Sequence, residues 1–368
     1  MINRICIIGV GLMGGSFGLS VRRSRPDLIV TGVDSEDVLK KALERRAITA
    51  AAESLSDAVA EADLVMLCTP VMESIALMDE IGQSIQNETI VSDVCSVKSP
   101  LQTAAEISLG DGVIFIGGHP MTGSEKSGIS HADEFLYENA TYVLCPPPGV
   151  SDEYFSAQFG DFIDVIGSTG GRILLMEARK HDRIAAQISH LPQLVAIALV
   201  NSVGAKREID PEILQLAAGG FRDMTRIASS TFDVWREIIQ SNSTPIQEAL
   251  KSLSDEIDDL RSLLASDDYQ AIEERFQSAE DTRTAIRPRS KGFMQPLADI
   301  FVFVADKPGA IYDMAGRLTN EQINIKDIEL LKIREGTGGT FRLGLETDAE
   351  ADRAMIVMRE GGYKVHRL

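Results

Sequence analysis

One histidine stands where its ring could take part in a reaction. His119 lies within Gly117-Gly118-His119-Pro120-Met121-Thr122-Gly123-Ser124-Glu125-Lys126-Ser127-Gly128, directly after the buried-strand pattern Val113 to Ile116. A neutral imidazole accepts a proton near neutral pH, and the crevice beyond the carboxyl ends of parallel strands is where ligands gather. A histidine in a glycine-rich loop also serves as a capping or structural residue, so position alone leaves both readings open. A second group points to a cofactor: Gly9-Val10-Gly11-Leu12-Met13-Gly14 follows the strand pattern Ile5 to Ile8 and opens a helical one. Gly9 permits the tight turn, Gly11 lets backbone approach a pyrophosphate, and Gly14 lets helix and strand pack closely. The pyrophosphate would be held by unpaired N–H groups at the helix N-terminus. Asp34 ends the second strand 20 positions after Gly14. It can accept both hydroxyl protons of the adenosine ribose and would repel a 2′-phosphate, which predicts NAD over NADP. Leu12, Met13, Thr69 and Pro70 complete the candidate cofactor contacts.

The elements that must carry these residues read as three segments. Short β-branched runs, Ile5 to Ile8, Ile29 to Val33, Leu64 to Cys68, Thr89 to Ser92, Val113 to Ile116 and Tyr142 to Leu144, alternate with segments of helical period. This implies βαβ units and a parallel, helix-covered sheet over 1–170, with Ile163 to Ile166 as a further strand. From Leu174 to about Ile286 the period is helical, giving an all-α domain over 171–290. Ile184 to Val203 is apolar nearly all round, the mark of a helix in the middle of a core, and Pro192 should kink or restart it. Ile246, Leu250, Leu253, Ile257, Leu260 and Leu264 form an a/d-like seam, which fits packing on the same domain or pairing of subunits. Beyond the polar linker Arg287 to Gly292, strands and helices over 296–368 follow the order βαββαβ, ferredoxin-like, with a turn at Gly336-Thr337-Gly338-Gly339. This last segment resembles an ACT domain, a module that binds amino acids as regulators. Asp306, Pro308, Gly309 and Asn324 are its candidate effector contacts, since the Asp306-Lys307-Pro308-Gly309 turn would present helix N–H groups to a carboxylate.

Composition narrows the partners. At 368 residues the chain should form two or three domains. Its 36 basic and 55 acidic residues give a formal charge of −19, which argues against a nucleic acid or an anionic membrane as partner. An anionic substrate would need a local basic site. The cysteines Cys6, Cys68, Cys95 and Cys145 are far apart and form no CxxC pair, as expected of reduced cytosolic thiols with no metal site. The N-terminus enters a strand pattern at once without signal-peptide features, and Gln187, His190, Pro192, Gln193 and Asn201 interrupt the most apolar helix. A cytoplasmic protein is expected.

Several motifs occur in one order: Gly9 to Gly18, Asp93-Val94-Cys95-Ser96-Val97-Lys98, Gly117 to Gly128, Ser189-His190-Leu191-Pro192, Gly219 to Ala228 and Trp235-Arg236. In this order and spacing the chain resembles the prephenate dehydrogenase family from residue 2 to about 285. The resemblance implies an NAD-dependent oxidative decarboxylation of prephenate in tyrosine biosynthesis, in which a base takes the ring-hydroxyl proton while hydride leaves the same carbon. It implies His119 as that base and Ser96 as its hydrogen-bonding companion, although Ser96 could equally cap a helix. Arg226 would bind substrate carboxylate, and His190, Ser124, Glu125 and Trp235 would line the substrate pocket. Read without the resemblance, Arg226 is a surface ion-pair residue, His190 a hydrogen-bonded core histidine and Trp235 a core tryptophan. Many members continue Ser-His-Leu-Pro-His; this chain has Gln193 instead. A homodimer through the helical domain and tyrosine as effector of the ACT-like segment are further implications.

The sequence leaves three other readings open. Arogenate dehydrogenase differs only in an amino group on the substrate side chain. A β-hydroxyacid dehydrogenase would rely on a helical-domain lysine, for which Lys180 and Lys206 are available but unmarked by any pattern. A non-catalytic sensor of NAD and an amino acid would have no use for Ser96, His119 and Arg226.

Overall fold

The computed structural model describes residues 1–86, 88–110, 112–123, 126–286, 297–334 and 338–367. Ser124, Glu125, the 287–292 linker, and Gly336 and Thr337 of the expected turn lie outside the described residues. The chain divides into two compact units, Met1–Ile272 and Glu273–Leu368.

The first unit opens with β1 (Arg4–Ile8), α1 (Leu12–Ser24), β2 (Ile29–Val33), α2 (Glu36–Glu44), β3 (Ala50–Ala51), α3 (Leu55–Ala60), β4 (Leu64–Leu67) and α4 (Val71–Ser84). It continues with β5 (Ile90–Asp93), α5 (Ser99–Ser108), β6 (Ile114–Pro120), β7 (Thr141–Cys145), α6 (Asp152–Gln158), α7 (Gly160–Gly167) and β8 (Arg172–Leu175). These strands form one eight-stranded sheet ordered β3-β2-β1-β4-β5-β6-β7-β8. Successive side chains of a strand point to opposite faces. Ile5 and Ile7 of β1 and Leu64 and Met66 of β4 accordingly enter one apolar layer, with Phe17, Val21 and Phe162. Cys6, Ile8, Val65 and Leu67 enter the other, with Met78, Ile81 and Leu101. Burial on both faces is why these strands read as continuous apolar runs.

Three expectations are corrected here. Ile163 to Ile166 is not a strand but part of α7, because Phe162, Val165 and Ile166 bury one face at helical spacing. The sheet takes in Arg172–Leu175, past the expected boundary at 170, paired parallel to β7. It is also not wholly parallel. β6 runs four residues beyond Ile116, and Gly117 to Pro120 pair antiparallel with Cys145 to Tyr142. Glycine permits that extension: a Cβ on Gly118 would lie 2.3 Å from the Asp93 carbonyl oxygen. His119 therefore sits in a strand, not in a loop.

The helical part follows with α8 (Ala178–Ala185), a π-helical turn at Ala186–His190, α9 (Leu191–Gly204), α10 (Gly219–Thr225), α11 (Phe232–Ser241), α12 (Ser243–Ala265) and α13 (Tyr269–Ala285). Pro192 restarts the helix at the first turn of α9, just after the wide turn, since its ring and missing N–H exclude it from a helix interior. Ala178–Gly204 is long and apolar enough to cross a membrane, and only 33% of its most apolar window is buried within the chain. The expectation of a helix in the middle of a core is thus corrected: α9 buries only Gln193 and Ala196. The seam of α12 behaves alike, with Ile246 buried and Leu250, Ile257, Leu260 and Leu264 exposed.

In the second unit β9 (Ala298–Val304), α14 (Ala310–Asn320), β10 (Asp327–Arg334), β11 (Gly338–Leu345), α15 (Asp348–Glu360) and β12 (Lys364–His366) complete βαββαβ. The sheet is ordered β10-β11-β9-β12 with every ladder antiparallel. Ile300, Val302, Leu343 and Leu345 pack against Met314, Leu318, Ala354 and Met358 of the two helices.

Candidate active site

The strands β1, β4, β5 and β6 are mutually parallel, so their carboxyl ends open on one edge of the sheet. At the end of β1, Gly9 has φ 89°, and a Cβ there would lie 2.8 Å from the Cys68 backbone carbon. Gly14 is closed by packing, since its Cβ would meet the Gly9 oxygen at 2.1 Å, whereas a Cβ on Gly11 meets nothing within 4 Å. The turn therefore presses against its own strand and leaves open space in front of Gly11, at the start of α1, where no side chain caps the helix. A pyrophosphate fits those bare N–H groups and the helix dipole behind them. Asp34, exposed at the end of β2, accepts the Val10 N–H at 2.8 Å and the Ser35 N–H at 2.7 Å, which anchors its carboxylate beside the turn. Leu12 and Met13 occupy the first turn of α1, and Thr69 and Pro70 follow β4 on the same edge.

His119 lies at the carboxyl end of β6, buried, with Nδ1 2.8 Å from Nε2 of His181 on α8. His181 Nδ1 is in turn 2.9 Å from Asp182 Oδ1. The Asp182 carboxylate also accepts the main-chain N–H groups of Lys98 and Ser99, each at 2.8 Å. It thus supplies from a distant helix the cap that α5 lacks locally. This corrects the capping alternative for Ser96: the helix starts at Ser99, three residues later. Lys98 is fully buried, paired with Asp93, and donates to the Gly118 carbonyl at 2.5 Å, while Asp93 accepts the Gly118 N–H at 3.0 Å. Both polar groups of Gly118 are thereby clamped to the loop that contains Ser96. Burial, followed by the neighbouring His181, Lys98 and His190, holds His119 well below the usual histidine range, so its ring is neutral at physiological pH. Asp182 goes the other way. Burial disfavours its charge, but hydrogen bonds from His181, Ser99 and Lys98 prevail and keep its carboxyl below the ordinary value.

His190, at the end of the π-helical turn, is buried with Nδ1 3.2 Å from Nδ2 of Asn242, and Asn242 Nδ2 also donates to the Asp182 carbonyl at 2.9 Å. Its Nε2 is buried with no hydrogen-bond partner among the described residues. Burial pushes its pKa down to about 4. Trp235 on α11 meets the His190 ring edge-on, centroids 6.0 Å apart. Arg226, exposed, begins the 3₁₀ turn Arg226–Ser229, and Gln193 ties that turn to α9 by donating to the Ile227 carbonyl at 3.0 Å. Gln193 therefore has a packing task between α9 and that turn. Asp306, Pro308, Gly309 and Asn324 are exposed on the second unit, with Gly309 at φ 81° before α14.

His119 and His190 are thus joined through His181, Asp182 and Asn242, three residues not singled out from the sequence. A signal for two of them was present. Ala178, His181, Asp182, Ala185, Ala186, His190 and Gln193 follow one helical stripe, and all are buried. Four polar residues on the inward stripe of an apolar helix mark a site. Lys180-His181-Asp182-Arg183 passes instead for a solvated face.

A doubly covered sheet with bare N–H groups at its first βα turn, and a neutral histidine ending another strand on the same edge, is the build of a nicotinamide-dependent dehydrogenase. Residues 17–175 match the family model "Prephenate dehydrogenase, nucleotide-binding domain" and residues 177–278 match "Prephenate dehydrogenase, dimerization domain". The chain belongs to the prephenate dehydrogenase family. It is 33% identical to prephenate dehydrogenase of Bacillus subtilis over 96% of this chain and 95% of that one. It is 31% identical to cyclohexadienyl dehydrogenase of Zymomonas mobilis over 77% of this chain and 96% of that protein. Among solved structures, prephenate dehydrogenase of A. aeolicus in complex with hydroxyphenyl propionate and NAD+ superimposes with a TM-score of 0.70 at 29% identity, covering 78% of this chain and 99% of that one. Synechocystis arogenate dehydrogenase gives 0.67 at 29% identity, over 77% and 100%.

Proposed function

We propose that this chain is an NAD-dependent prephenate dehydrogenase, converting prephenate to 4-hydroxyphenylpyruvate and carbon dioxide. The observation that carries the reading is a buried, neutral His119 on the nucleotide-binding edge of a chain of this family. NAD, held by the Gly9–Gly14 turn and Asp34, supplies the hydride acceptor. His119 takes the proton of the ring hydroxyl through Nε2 as hydride leaves the same carbon. The carbon–carboxylate bond then breaks, its electron pair makes the ring aromatic, and the proton returns from His119 to the ring oxygen, so none is released overall. Ser96 steadies the hydroxyl beside His119. Arg226 takes a substrate carboxylate, for which a guanidinium fork is suited. His190 donates to a substrate oxygen and Trp235 lines the pocket. NADH formation with prephenate tests the reaction. His119→Asn should lower kcat by about 10²–10⁴, the worth of a positioned base, with NAD affinity unchanged; turnover within tenfold of the parent would refute the assignment. The likeness to an arogenate dehydrogenase, at 29% identity, makes arogenate the second substrate to assay, by kcat/KM in parallel.

The nucleotide-binding domain ends at Leu175, where β8 ends and the two family models meet. The chain forms a homodimer through α9 and α12, whose apolar faces stay exposed within one copy, in the part matched as a dimerization domain. The protein is cytoplasmic, in keeping with four free cysteines. The second unit is an ACT-like regulator that binds an aromatic amino acid, tyrosine, with its carboxylate at the uncapped start of α14 beside Asp306, Pro308, Gly309 and Asn324. A chain ending at residue 286 should lose tyrosine inhibition; inhibition that persisted would place the effector at the active site.

A further inference from the structure

We propose that His181, Asp182 and Asn242 are positioning residues that impose opposite tautomers on the two buried histidines, leaving His119 with a bare, accepting Nε2 and His190 with a donating Nε2–H. The inference rests on His119 being the general base. Asp182 is the junction. Its carboxylate can only accept, and it faces His181 Nδ1 at 2.9 Å, so that nitrogen carries the hydrogen. The Nε2 of a neutral His181 is then a lone pair, and its 2.8 Å contact with His119 requires the hydrogen to sit on His119 Nδ1. The remaining lone pair of His119 is on Nε2, the nitrogen that must receive a proton. When it does, the imidazolium is stabilised through the same chain by the Asp182 carboxylate.

The other arm starts from the main chain of the same residue. The Asp182 carbonyl accepts from Asn242 Nδ2 at 2.9 Å, which fixes how the amide is turned. That Nδ2 lies 3.2 Å from His190 Nδ1, so this nitrogen accepts and the ring hydrogen is on Nε2. This donor is buried and lacks a partner among the described residues, a state that native structures rarely leave uncompensated. An oxygen of the substrate is the matching group. One residue on α8 thus fixes which ring takes a proton and which gives a hydrogen bond, and it also ties α5 to that choice through the Lys98 and Ser99 N–H groups.

Two substitutions separate the chain from mere packing. His181→Gln places an amide oxygen near the position of Nε2 and keeps an acceptor for His119. His181→Asn reaches only the Nδ1 position, so it keeps a contact to Asp182 and offers His119 nothing. His181→Asn should lower kcat about 10- to 100-fold with KM for prephenate within about threefold, whereas His181→Gln should keep kcat within about threefold. The full-length enzyme has five histidines, few enough to assign in a ¹⁵N-histidine sample. Long-range ¹H–¹⁵N spectra of the parent should show hydrogen on Nδ1 of His119 and on Nε2 of His190, and His181→Asn should mix the His119 forms. Hydrogen on Nε2 of His119 in the parent, equal losses in the two variants, or His181→Asn within about twofold of parental kcat would each overturn the proposal. If His181→Asn does not fold, the parent spectrum decides. The base assignment fails separately: His119→Asn near parental turnover removes it, while an inactive His119→Asn beside a fully active His181→Asn sinks only the relay.

Discussion

Replacing Lys98 by methionine isolates the buried ion pair behind the site. Lys98 and Asp93 are both 0% exposed, and the ammonium contacts the carboxylate and the Gly118 carbonyl. Methionine fills nearly the same volume, so the loss is electrostatic and not a cavity. Asp93 keeps the N–H groups of Gly118 and Cys95 at 3.0 and 2.8 Å, but its charge is orphaned. Removing one partner of a buried pair costs about 3–5 kcal/mol, a large part of the 5–15 kcal/mol that typically holds a domain folded. For a unit of the size of Met1–Ile272 this lowers Tm by on the order of 10 °C. Urea denaturation followed by fluorescence of Trp235, the single tryptophan, reads this unit directly. A loss below about 1 kcal/mol would show that the clamp on Gly118 is not held by this pair.

The remaining predictions concern pH and the cofactor. A general base at His119 requires the neutral ring, and burial depresses its pKa, so kcat/KM should stay level down through pH 6.5 and fall only below it; an acid limb centred above 6.5 would contradict the burial argument. Stability follows the same sign. Between about 6.5 and 4 the unfolded chain binds protons that folded His190 refuses, so stability is complete above 6.5 and declines as pH falls through this window, by about 3 kcal/mol from His190 alone. Asp34→Ala should raise KM for NAD roughly tenfold, the worth of one charge-assisted hydrogen bond, with kcat little changed; comparable kcat/KM for NAD and NADP in the parent would show that Asp34 does not select the cofactor.

Some of the candidate site can be read in the letters of the chain. The Gly9–Gly14 turn, Asp34 and His119 stand in fixed relation to strand patterns a few residues away, and that relation is local. So is the βαββαβ order of the second unit, where β9 runs over Ala298–Val304 as its apolar alternation implies. Local period fails where two periods compete. Ile163 to Ile166 is as apolar as a strand and becomes α7 because Phe162 extends its buried face at helical spacing.

What letters could not supply is contact between residues far apart in the chain. His119 meets His181 at a separation of 62 residues, Lys98 meets Asp182 at 84, and Asn242 meets His190 at 52. Nothing in the run Lys180 to Arg183 says which of its charges turns inward, because that depends on where α8 lands against β6 and α5. The same holds in reverse for α9 and α12, whose apolar residues read as core and remain exposed in one copy of the chain. Periodicity along the backbone fixes which face of an element is apolar and which residues share it. Only the packed tertiary structure decides what that face meets, and hence which nitrogen of a buried imidazole is left to do chemistry.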